Sequence, residues 1–516
     1  MHRVPANRTQ STECQRLDHS TQPKRFMSGP ANKFAGHRPR PSLPVSTTLV
    51  RPRFGHHVQS KWTRASLGLS RGSVRAHVAP VDHDDAACQA ASSEVLNYFV
   101  RRMERAGWDS AAIRESIVST ASGDVTDVWM AMRRVYGLGV KETALMESPW
   151  LENALENGME DWTGSMTIES IGSLDERDLS GGTLRKQHAP RVFLKMESTQ
   201  PTGAFKVRGA CNALAERLKE DPGTRFTISS TGNHALACLH ALKAISAAGN
   251  GEAGAPDDES MLDIYLPGSV SKRKLAKIER QAALVGPGAV NVFVLDGVAD
   301  CVEAEMQARR EAEAAGRYYV SPYNNDKVIA GHGTLAMELL MELGPSQLDY
   351  VFVPVGGGGL ITGIARVLKA LAPHVRIVGC QAAACPVMAR SVDEGSIVDW
   401  ECVDWNETLA EGLAGGIESD SRTFEACKTL VDAWVTVEEK EIAEAMVGMH
   451  GHHGAQIEGA AAVMLAAIVK MGSQMRDKTV VGVVCGGNLD SRDLDRAYDL
   501  VRARDVRAGA SKAAHF

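Results

Sequence analysis

The chain has 516 residues, of which 44% are hydrophobic and 23% are charged, and this composition is typical of folded globular proteins. A formal net charge of -6 argues against generic nucleic-acid binding, and no apolar run approaches the roughly 20 residues that span a bilayer. The ten cysteines include no Cys-x-x-Cys pair, which argues against disulfide and zinc frameworks.

The beginning of the chain differs from this average. Residues 1–80 contain 11 Arg and 3 Lys but only one Glu and one Asp. A segment that is rich in Arg and Ser and poor in acidic residues is typical of an organelle transit peptide, and a disordered basic tail is the alternative interpretation. We therefore expect a mitochondrial or plastid protein if this segment is a transit peptide, and a cytoplasmic protein otherwise.

Helical patterns come next along the chain. Apolar residues at helical spacing predict an N-terminal helical extension over residues 82–125. A further helix is predicted to start near Val125, with Thr126 or Asp127 as its N-cap. No chemistry is assigned to these helices, which we expect to pack against the remainder of the protein.

The remainder of the chain alternates between short apolar runs and helical patterns. This alternation favours parallel sheets with helices on both faces, and ligands are then expected at the carboxyl ends of the strands. Two charged or glycine-containing segments, residues 152–190 and 247–260, interrupt the pattern. Both are typical of surface insertions.

One lysine occupies an unusual place in this alternation. Lys206 follows an apolar run and the turn Pro201-Thr202-Gly203, and helical spacing begins directly after it. Loss of water and proximity to a helix N-terminus both lower the pKa of a lysine, and an amine with a lowered pKa forms Schiff bases. On these residues alone, an ordinary surface lysine is an equally good interpretation.

Three further apolar runs each end in a polar or glycine-rich turn. The turns read Ser-Ser-Thr-Gly-Asn-His at 229–234, four glycines at 356–359 and Cys-Gly-Gly-Asn at 485–488. Together with Gln-Pro-Thr-Gly-Ala-Phe-Lys at 200–206, this order of motifs resembles the fold type II pyridoxal-phosphate enzymes, specifically the serine/threonine dehydratase (ammonia-lyase) family. The resemblance covers roughly residues 127–500.

The resemblance implies an α/β fold with two open, twisted, mostly parallel sheets and helices on both faces, similar to the tryptophan synthase β subunit. Pyridoxal 5'-phosphate would lie between a large domain, residues 126–224 and 328–505, and a small domain, residues 225–327. The implied partners are a small amino-acid substrate and a second copy of the chain, forming a homodimer. No nucleic-acid or membrane partner is expected.

The resemblance also implies the roles of individual residues. Lys206 would hold the cofactor covalently and remove the α-proton of the substrate, and Thr231 would be a second catalytic residue. The glycines would bind the phosphate, Asn233 the ring hydroxyl and Cys485 the ring nitrogen. The implied cofactor contacts are Lys206, Phe205, Asn233, Gly356, Gly357, Gly358, Gly359 and Cys485, and the implied substrate contacts are Ser230, Thr231, Gly232 and His234.

Some of these residues have structural alternatives that the sequence leaves open. Asn233 is also a good helix N-cap, Cys485 is also a small buried hydrophobe, and His234 also fits a purely structural role. Asn488 is expected to cap the helix that follows it. Glu458 lies in a segment that matches the Glu-Gly/Pro-Ala segment that the family carries near the cofactor ring.

The implied reaction is the deamination of L-serine or L-threonine to a 2-oxo acid and ammonia. A serine racemase, a dehydratase of another β-hydroxy amino acid, or a catalytically silent cofactor carrier are the alternatives. Racemase-like relatives use a serine where this chain has Thr231, which disfavours racemisation. Gln381, Cys385 and Val387 fall where those relatives bind a divalent ion, so no metal site is expected.

Overall fold

The computed structural model describes residues 101–108, 123–157, 190–248, 260–298, 301–399 and 407–513. All of them lie in one compact unit of the chain, residues 75–516. Within these ranges no helix combines the length and the apolar character that crossing a membrane requires.

In the part of the chain that the structure describes, ten short strands build two sheets, and most of these strands are rich in Val, Ile, Leu and Phe. They are β1 (Leu145–Glu147), β2 (Arg191–Lys195), β3 (Phe226–Ser229), β4 (Leu262–Pro267), β5 (Val290–Leu295), β6 (Tyr318–Tyr319), β7 (Tyr350–Pro354), β8 (Arg376–Ala382), β9 (Ala433–Val437) and β10 (Thr479–Val483). The large sheet has the order β1-β2-β10-β7-β8-β9 and the small sheet the order β5-β4-β3-β6. Every pairing is parallel except β1 with β2, so the prediction of two mostly parallel sheets is confirmed.

Helices connect most of the strands, as parallel pairing requires. They are α1 (Gly123–Gly137), α2 (Pro149–Asn157), α3 (Lys206–Glu220), α4 (Asn233–Ala248), α5 (Lys272–Ala282), α6 (Cys301–Ala314), α7 (Asp326–Leu343), α8 (Gly359–Leu371), α9 (Val387–Glu394), α10 (Arg422–Leu430), α11 (Glu439–His453), α12 (Gly459–Lys470) and α13 (Ser491–Ala513). Short 3-10 turns, such as Glu197–Thr199, lie between some of these elements.

Each sheet has its own hydrophobic core. The alanine-rich helix α12 is buried over almost its whole length and packs across β7, β8, β9 and β10. A Cβ on Gly482 of β10 would lie 2.2 Å from the sulfur of Met464, so only glycine permits this close packing. Helix α6 packs against β3 and β4, and the apolar residues around these strands form a separate cluster. Two adjacent cores leave room for a site between them.

The four motifs follow the carboxyl ends of four parallel strands. The turn with Lys206 follows β2, the 230–232 turn follows β3, the glycine turn follows β7 and the Cys-Gly-Gly-Asn turn follows β10. Because β2, β10 and β7 are neighbours in the large sheet, three of these turns lie side by side. The order of the sheet therefore brings together residues that are distant in sequence.

Several predicted boundaries are wrong. Helix α1 begins at Gly123, so Thr126 and Asp127 lie inside the helix and do not cap it. In the predicted 82–125 extension, residues 101–105 are helical and residues 106–108 are not, while residues 82–100 and 109–122 lie outside the described residues.

The two predicted insertions are also narrower than expected. The first begins with helix α2, because Leu151 and Ala154 are buried in the core and hold it there. In the second, α4 continues to Ala248, and the buried hydroxyl of Ser260 donates a 2.6 Å hydrogen bond to Asp263. What remains of both segments lies outside the described residues.

Candidate active site

Lys206 is the first residue of α3, directly after Phe205 as the N-cap. Its Nζ donates a 3.0 Å hydrogen bond to the carbonyl oxygen of Pro322. Burial lowers the pKa of Lys206 to about 8, although the electrostatic influence of Cys485 and Glu305 opposes the decrease. A fraction of the amine is therefore unprotonated near neutral pH, as a nucleophile or a base requires.

A buried ionic network fixes the segment that carries Lys206. Arg208 donates to both carboxylate oxygens of Glu197 at 2.7 Å and to those of Glu338 at 2.6 and 3.0 Å. Lys195 lies 2.8 Å from Glu338, and all four charged side chains are completely buried. Two cations and two fully buried carboxylates tie β2, α3 and α7 together, and Lys195 also pairs with the partly exposed Glu342 at 3.4 Å.

Phe205 lies between the amine and a buried histidine. The Nζ of Lys206 is 5.1 Å from the centroid of the Phe205 ring, and His332 meets this ring edge-on with centroids 4.8 Å apart. Neither ring nitrogen of His332 has a hydrogen-bond partner among the described residues. Burial lowers the pKa of His332 well below its usual range, with Lys206 and Arg208 adding to the decrease, so the imidazole is neutral.

The glycine turn has the properties of an anion site. The main-chain N–H groups of Gly356 to Gly359 donate no hydrogen bond to any described residue. Gly358 adopts a φ of 84°, and α8 begins at Gly359 with its positive end at the turn. Cβ atoms on Gly357 and Gly359 would lie 2.5 and 2.8 Å from Tyr323, so these positions require glycine. This arrangement fits a phosphate group.

The turn after β3 presents a second set of free donors. The main-chain N–H groups of Thr231 and Asn233 have no hydrogen-bond partner among the described residues, whereas the N–H of Gly232 donates to Ser230 Oγ at 3.2 Å. Helix α4 begins at Asn233, directly after this turn. Free N–H groups at the start of a helix bind carboxylates well. The free N–H groups of Thr231 and Asn233 therefore give this turn, residues 230–232, the properties of a second anion site.

Asn233, Asn488 and Glu458 form a polar network between α4 and the turn after β10. Asn233 Nδ2 donates to both Glu458 oxygens at 3.0 and 3.1 Å, and Asn233 Oδ1 accepts from Asn488 Nδ2 at 2.7 Å. Asn488 also donates its main-chain N–H to Glu458 at 2.8 Å. The expected capping role of Asn488 is wrong, because α13 begins only at Ser491 and the side chain is engaged in this network.

Cys485 and Glu458 lie beside each other in this network. Burial raises the pKa of the Cys485 thiol well above its usual range, and the neighbouring Glu458 adds to the increase. Burial also raises the pKa of Glu458, while hydrogen bonds from Asn233 and the Asn488 main chain oppose it. The thiol is therefore neutral at physiological pH.

His234 does not present its ring to the substrate turn. The side chain is buried, and Nε2 donates a 2.9 Å hydrogen bond to the carbonyl oxygen of Val320. Burial lowers the pKa of His234 to about 3, with Lys206 contributing, so the ring is neutral. This geometry supports the structural role for the His234 ring, and the contact of His234 with substrate stays a prediction.

Gln381 has a structural role at its position. Its side chain donates to Val355 O at 3.1 Å and accepts from the N–H of Ala389 at 2.8 Å. Cys385 and Val387 are buried and pack with Val398 in a small hydrophobic cluster. In the part of the chain that the structure describes, no three His, Cys, Asp or Glu side chains come together as a metal site would need.

Three features of the site escaped the sequence analysis. They are the Pro322 carbonyl that accepts from Lys206, the Tyr323 ring under the glycine turn, and Lys277, which donates to Asn488 Oδ1 at 2.8 Å. In the sequence, Lys277 is marked only by its place one helical turn after Lys274 on α5, and this spacing alone does not indicate a role in the site. Pro322 and Tyr323 come from a loop whose position depends on the tertiary structure.

Comparison with known proteins gives consistent matches. A family model described as pyridoxal-phosphate dependent enzyme matches residues 181–486. The chain is 35% identical to an L-threonine ammonia-lyase of Thermotoga maritima over 306 residues, which are 59% of this chain and 69% of the relative. It is 32% identical to a catabolic L-threonine dehydratase of Escherichia coli K12 over 305 residues, 58% of this chain and 83% of the relative.

Solved structures show the same fold. A threonine deaminase from T.th. matches with a TM-score of 0.53 and 26% identity, covering 71% of this chain and 98% of that one. The processed form of threonine deaminase isoform 2 from Solanum lycopersicum matches with a TM-score of 0.56 and 23% identity, covering 73% and 92%. At this identity the second match shows the fold alone.

Proposed function

Because the chain belongs to the family of pyridoxal-phosphate dependent enzymes, we propose that it is a lyase that deaminates L-serine or L-threonine to a 2-oxo acid and ammonia. One observation carries the proposal: Lys206, with a pKa of about 8, follows β2 of the large sheet, and two turns with free main-chain donors follow β7 and β3. Relatives named as L-threonine ammonia-lyase and L-threonine dehydratase support the substrate class.

The residues present fit the cofactor. The free N–H groups of the glycine turn and the start of α8 would hold the phosphate, Asn233 the ring hydroxyl and Cys485 the ring nitrogen. When bound, pyridoxal phosphate draws electrons from the α-carbon of an amino acid and so acidifies its α-proton. Phe205, supported by His332, would pack beside the ring.

Lys206 is the group that moves the proton. Nζ would carry the cofactor at rest and, once the substrate amine has taken its place, would accept the α-proton as a free amine. Burial favours this role, because it lowers the pKa to about 8 and thus makes an unprotonated amine available. The Pro322 carbonyl, which accepts from Nζ at 3.0 Å, orients the amine.

The turn after β3 would bind the substrate carboxylate. The N–H groups of Thr231 and Asn233 are free to donate to it, and the Ser230 side chain holds the turn through Gly232. The Thr231 hydroxyl would add a further donor at the same anion. Binding the carboxylate here would set the orientation of the α-proton relative to Lys206 Nζ.

The neutral thiol of Cys485 is consistent with elimination rather than transamination. A thiol is a weak donor and a weak acceptor, and the raised pKa keeps it uncharged. Cys485 would leave the ring nitrogen of pyridoxal phosphate unprotonated, and the cofactor would then withdraw electrons only moderately. Loss of the β-hydroxyl would then be favoured over the protonation step that transamination requires.

The test is a product assay with purified protein, L-serine and L-threonine. We expect 2-oxo acid and ammonia in equal amounts, and Lys206→Ala should reduce the rate at least about a thousandfold because it removes the base. Lys219→Ala, exposed in the last turn of the same helix, is the matched control and should retain activity. D-serine as the main product would replace the proposal with racemisation, and no product with a bound cofactor would indicate a silent carrier.

Two further proposals concern the setting of the enzyme. We propose that it forms a homodimer, which light scattering of the purified protein would test. We also propose that residues 1–80, which lie outside the described residues, act as a transit peptide, because they are rich in Arg and poor in acidic residues. Exclusion of a fluorescent fusion of these residues from both mitochondria and plastids would contradict this proposal.

A further inference from the structure

The loop of Ser321, Pro322, Tyr323 and Asn324, here called the 321–324 loop, contacts two parts of the candidate site. Its Pro322 carbonyl accepts the 3.0 Å hydrogen bond from Lys206 Nζ. Its Tyr323 ring packs so closely under the glycine turn that a Cβ on Gly357 would lie 2.5 Å from it. A shift of this loop would therefore move the acceptor of the amine and the support of the phosphate site together.

One carboxylate, Glu418, holds most of this loop. Ser321 Oγ donates to Glu418 Oε1 at 3.1 Å, and Asn324 Nδ2 donates to Glu418 Oε2. The main-chain N–H of Glu418 donates to Tyr323 OH at 3.0 Å. Arg309, on α6, forms an ion pair with Glu418. Glu418 lies in the segment before α10, so it joins the loop of the small sheet to the large sheet.

A second carboxyl group, Glu305, lies near Glu418, because Arg309, one turn further along α6, pairs with Glu418 and stacks over the ring of Tyr319. Glu305 lies on α6 and accepts a 2.9 Å hydrogen bond from Tyr319 OH. Arg309 is the nearby cation on the same helix, and Lys206 and Tyr323 are the other titratable groups that feel its charge. A single guanidinium beside two carboxyl groups balances only one negative charge.

We propose that Glu418 is a positioning residue that holds the 321–324 loop against Lys206 and the glycine turn, and that Glu305 makes this hold depend on a shared proton. The inference rests on the proposed function only in taking pyridoxal phosphate as the ligand. With one proton on the pair, the carboxyls attract each other through a hydrogen bond. Without it, two negative charges face each other and the anchor of the loop weakens.

The electrostatics of Glu305 set the pH range. Burial, and then the charge of Glu418, raise the pKa of Glu305 to about 7. The folded protein therefore binds the proton more tightly than the unfolded chain, in which a glutamate titrates near 4.3. Stability from this group is present at low pH and is lost as the pH rises through about 7.

The experiment compares the wild type with Glu418→Gln, Glu305→Gln and the control Glu303→Gln, which is exposed on α6. Two quantities are measured at pH 6 and pH 8: the dissociation constant of pyridoxal phosphate from absorbance titration, and the thermal midpoint of the cofactor-free protein. Neither requires turnover, so a failure of the proposed reaction does not affect them. Ser321→Ala, which removes one donor to Glu418, is a milder variant in case Glu418→Gln does not fold.

We expect Glu418→Gln to raise the dissociation constant at least tenfold at both pH values and Ser321→Ala to raise it about threefold. From pH 6 to pH 8, the thermal midpoint of the wild type should decrease more than that of Glu305→Gln. Glu303→Gln should behave as the wild type. Wild-type affinity in Glu418→Gln and Ser321→Ala would overturn the positioning role. An identical pH dependence in Glu305→Gln and the wild type would overturn the shared proton.

Discussion

Lys206 is surrounded by polar side chains that burial keeps neutral. The rings of His234 and His332 have lowered pKa values and the thiol of Cys485 has a raised pKa, in each case chiefly because of burial. Each of these groups is uncharged at neutral pH, whereas Lys206 titrates near 8. The amine can therefore change its protonation without competition from these neighbours.

The pKa of Lys206 can be measured directly in the cofactor-free protein. We expect the rate of reductive methylation at Lys206 to reach half its maximum near pH 8, because burial favours the uncharged amine. The exposed Lys219, in the last turn of the same helix, is the reference lysine in the same sample. Peptide mapping by mass spectrometry after short pulses gives both rates in one sample, and equal midpoints for the two lysines would contradict the assignment.

At the scale of elements, the glycine turn and the start of α8 form one unit with free main-chain N–H groups, and the Tyr323 ring packs beneath it. We expect Gly357→Ala to weaken pyridoxal phosphate binding at least tenfold, because the added Cβ would lie 2.5 Å from the Tyr323 ring. Gly223→Ala is the control, since a Cβ there meets only Asp221 Oδ1 at 3.5 Å. Titration followed by absorbance measures the affinity.

A second substitution distinguishes this clash from other causes. Tyr323→Ala should partly restore binding in Gly357→Ala, because it removes the atoms that the new methyl group meets. The double-mutant cycle would then show a coupling energy of about 1 kcal/mol or more. Additive effects of the two substitutions would argue that Gly357 acts through backbone conformation instead.

The buried ionic network holds the helix that carries Lys206 in place. Breaking the network should lower the stability of the protein strongly. Arg208→Met should lower the free energy of unfolding by about 3–5 kcal/mol, because two buried carboxylates lose their shared partner. Arg217→Met, whose partners Glu220 and Asp221 are exposed, should change it by less than about 1 kcal/mol. Urea denaturation of the cofactor-free variants measures both, and equal losses would contradict the network's role.

On the scale of the whole molecule, polar pairs of α5 link the small sheet to the large one. Arg273 pairs with Asp490 at 2.7 Å and Lys274 with Glu411 at 2.8 Å, and both cations are exposed. Lys277 joins the same interface through Asn488. Exposed pairs of this kind contribute little to stability, so we expect their effect to be local to the contact between α5 and the large sheet.

The ion pairs of Arg273 and Lys274 should slow hydrogen exchange in α5. Arg273→Met combined with Lys274→Met should speed amide exchange in α5 while the free energy of unfolding changes by less than about 2 kcal/mol. Lys272→Met, on the same helix, serves as the control. Unchanged exchange in α5 would mean that other contacts, and not these pairs, hold the helix against the large sheet.

The sequence by itself determined the fold class, the order of the motifs and the family. Short β-branched runs that alternate with helical patterns fit only parallel pairing with crossover helices, and helix α3 begins at Lys206, directly after the turn that the sequence indicated. These features are local, because strand period, turn residues and helix spacing are each encoded within a few neighbouring positions. The start of α1 was predicted wrongly at Thr126 or Asp127, because residues with good capping side chains also occur inside helices.

Only the tertiary structure decided which groups face each other across the site. Pro322, Tyr323 and Glu418 come from segments without a recognisable motif. Pro322 and Tyr323 meet Lys206 and the glycine turn because β6 and α7 bring their loop there, and Glu418 meets that loop from the segment before α10. The same holds for Asn488, whose amide is engaged by Asn233 and Lys277 instead of capping a helix. The physical reason is that hydrogen bonds and pKa shifts depend on distance and burial, and neither is set by local sequence.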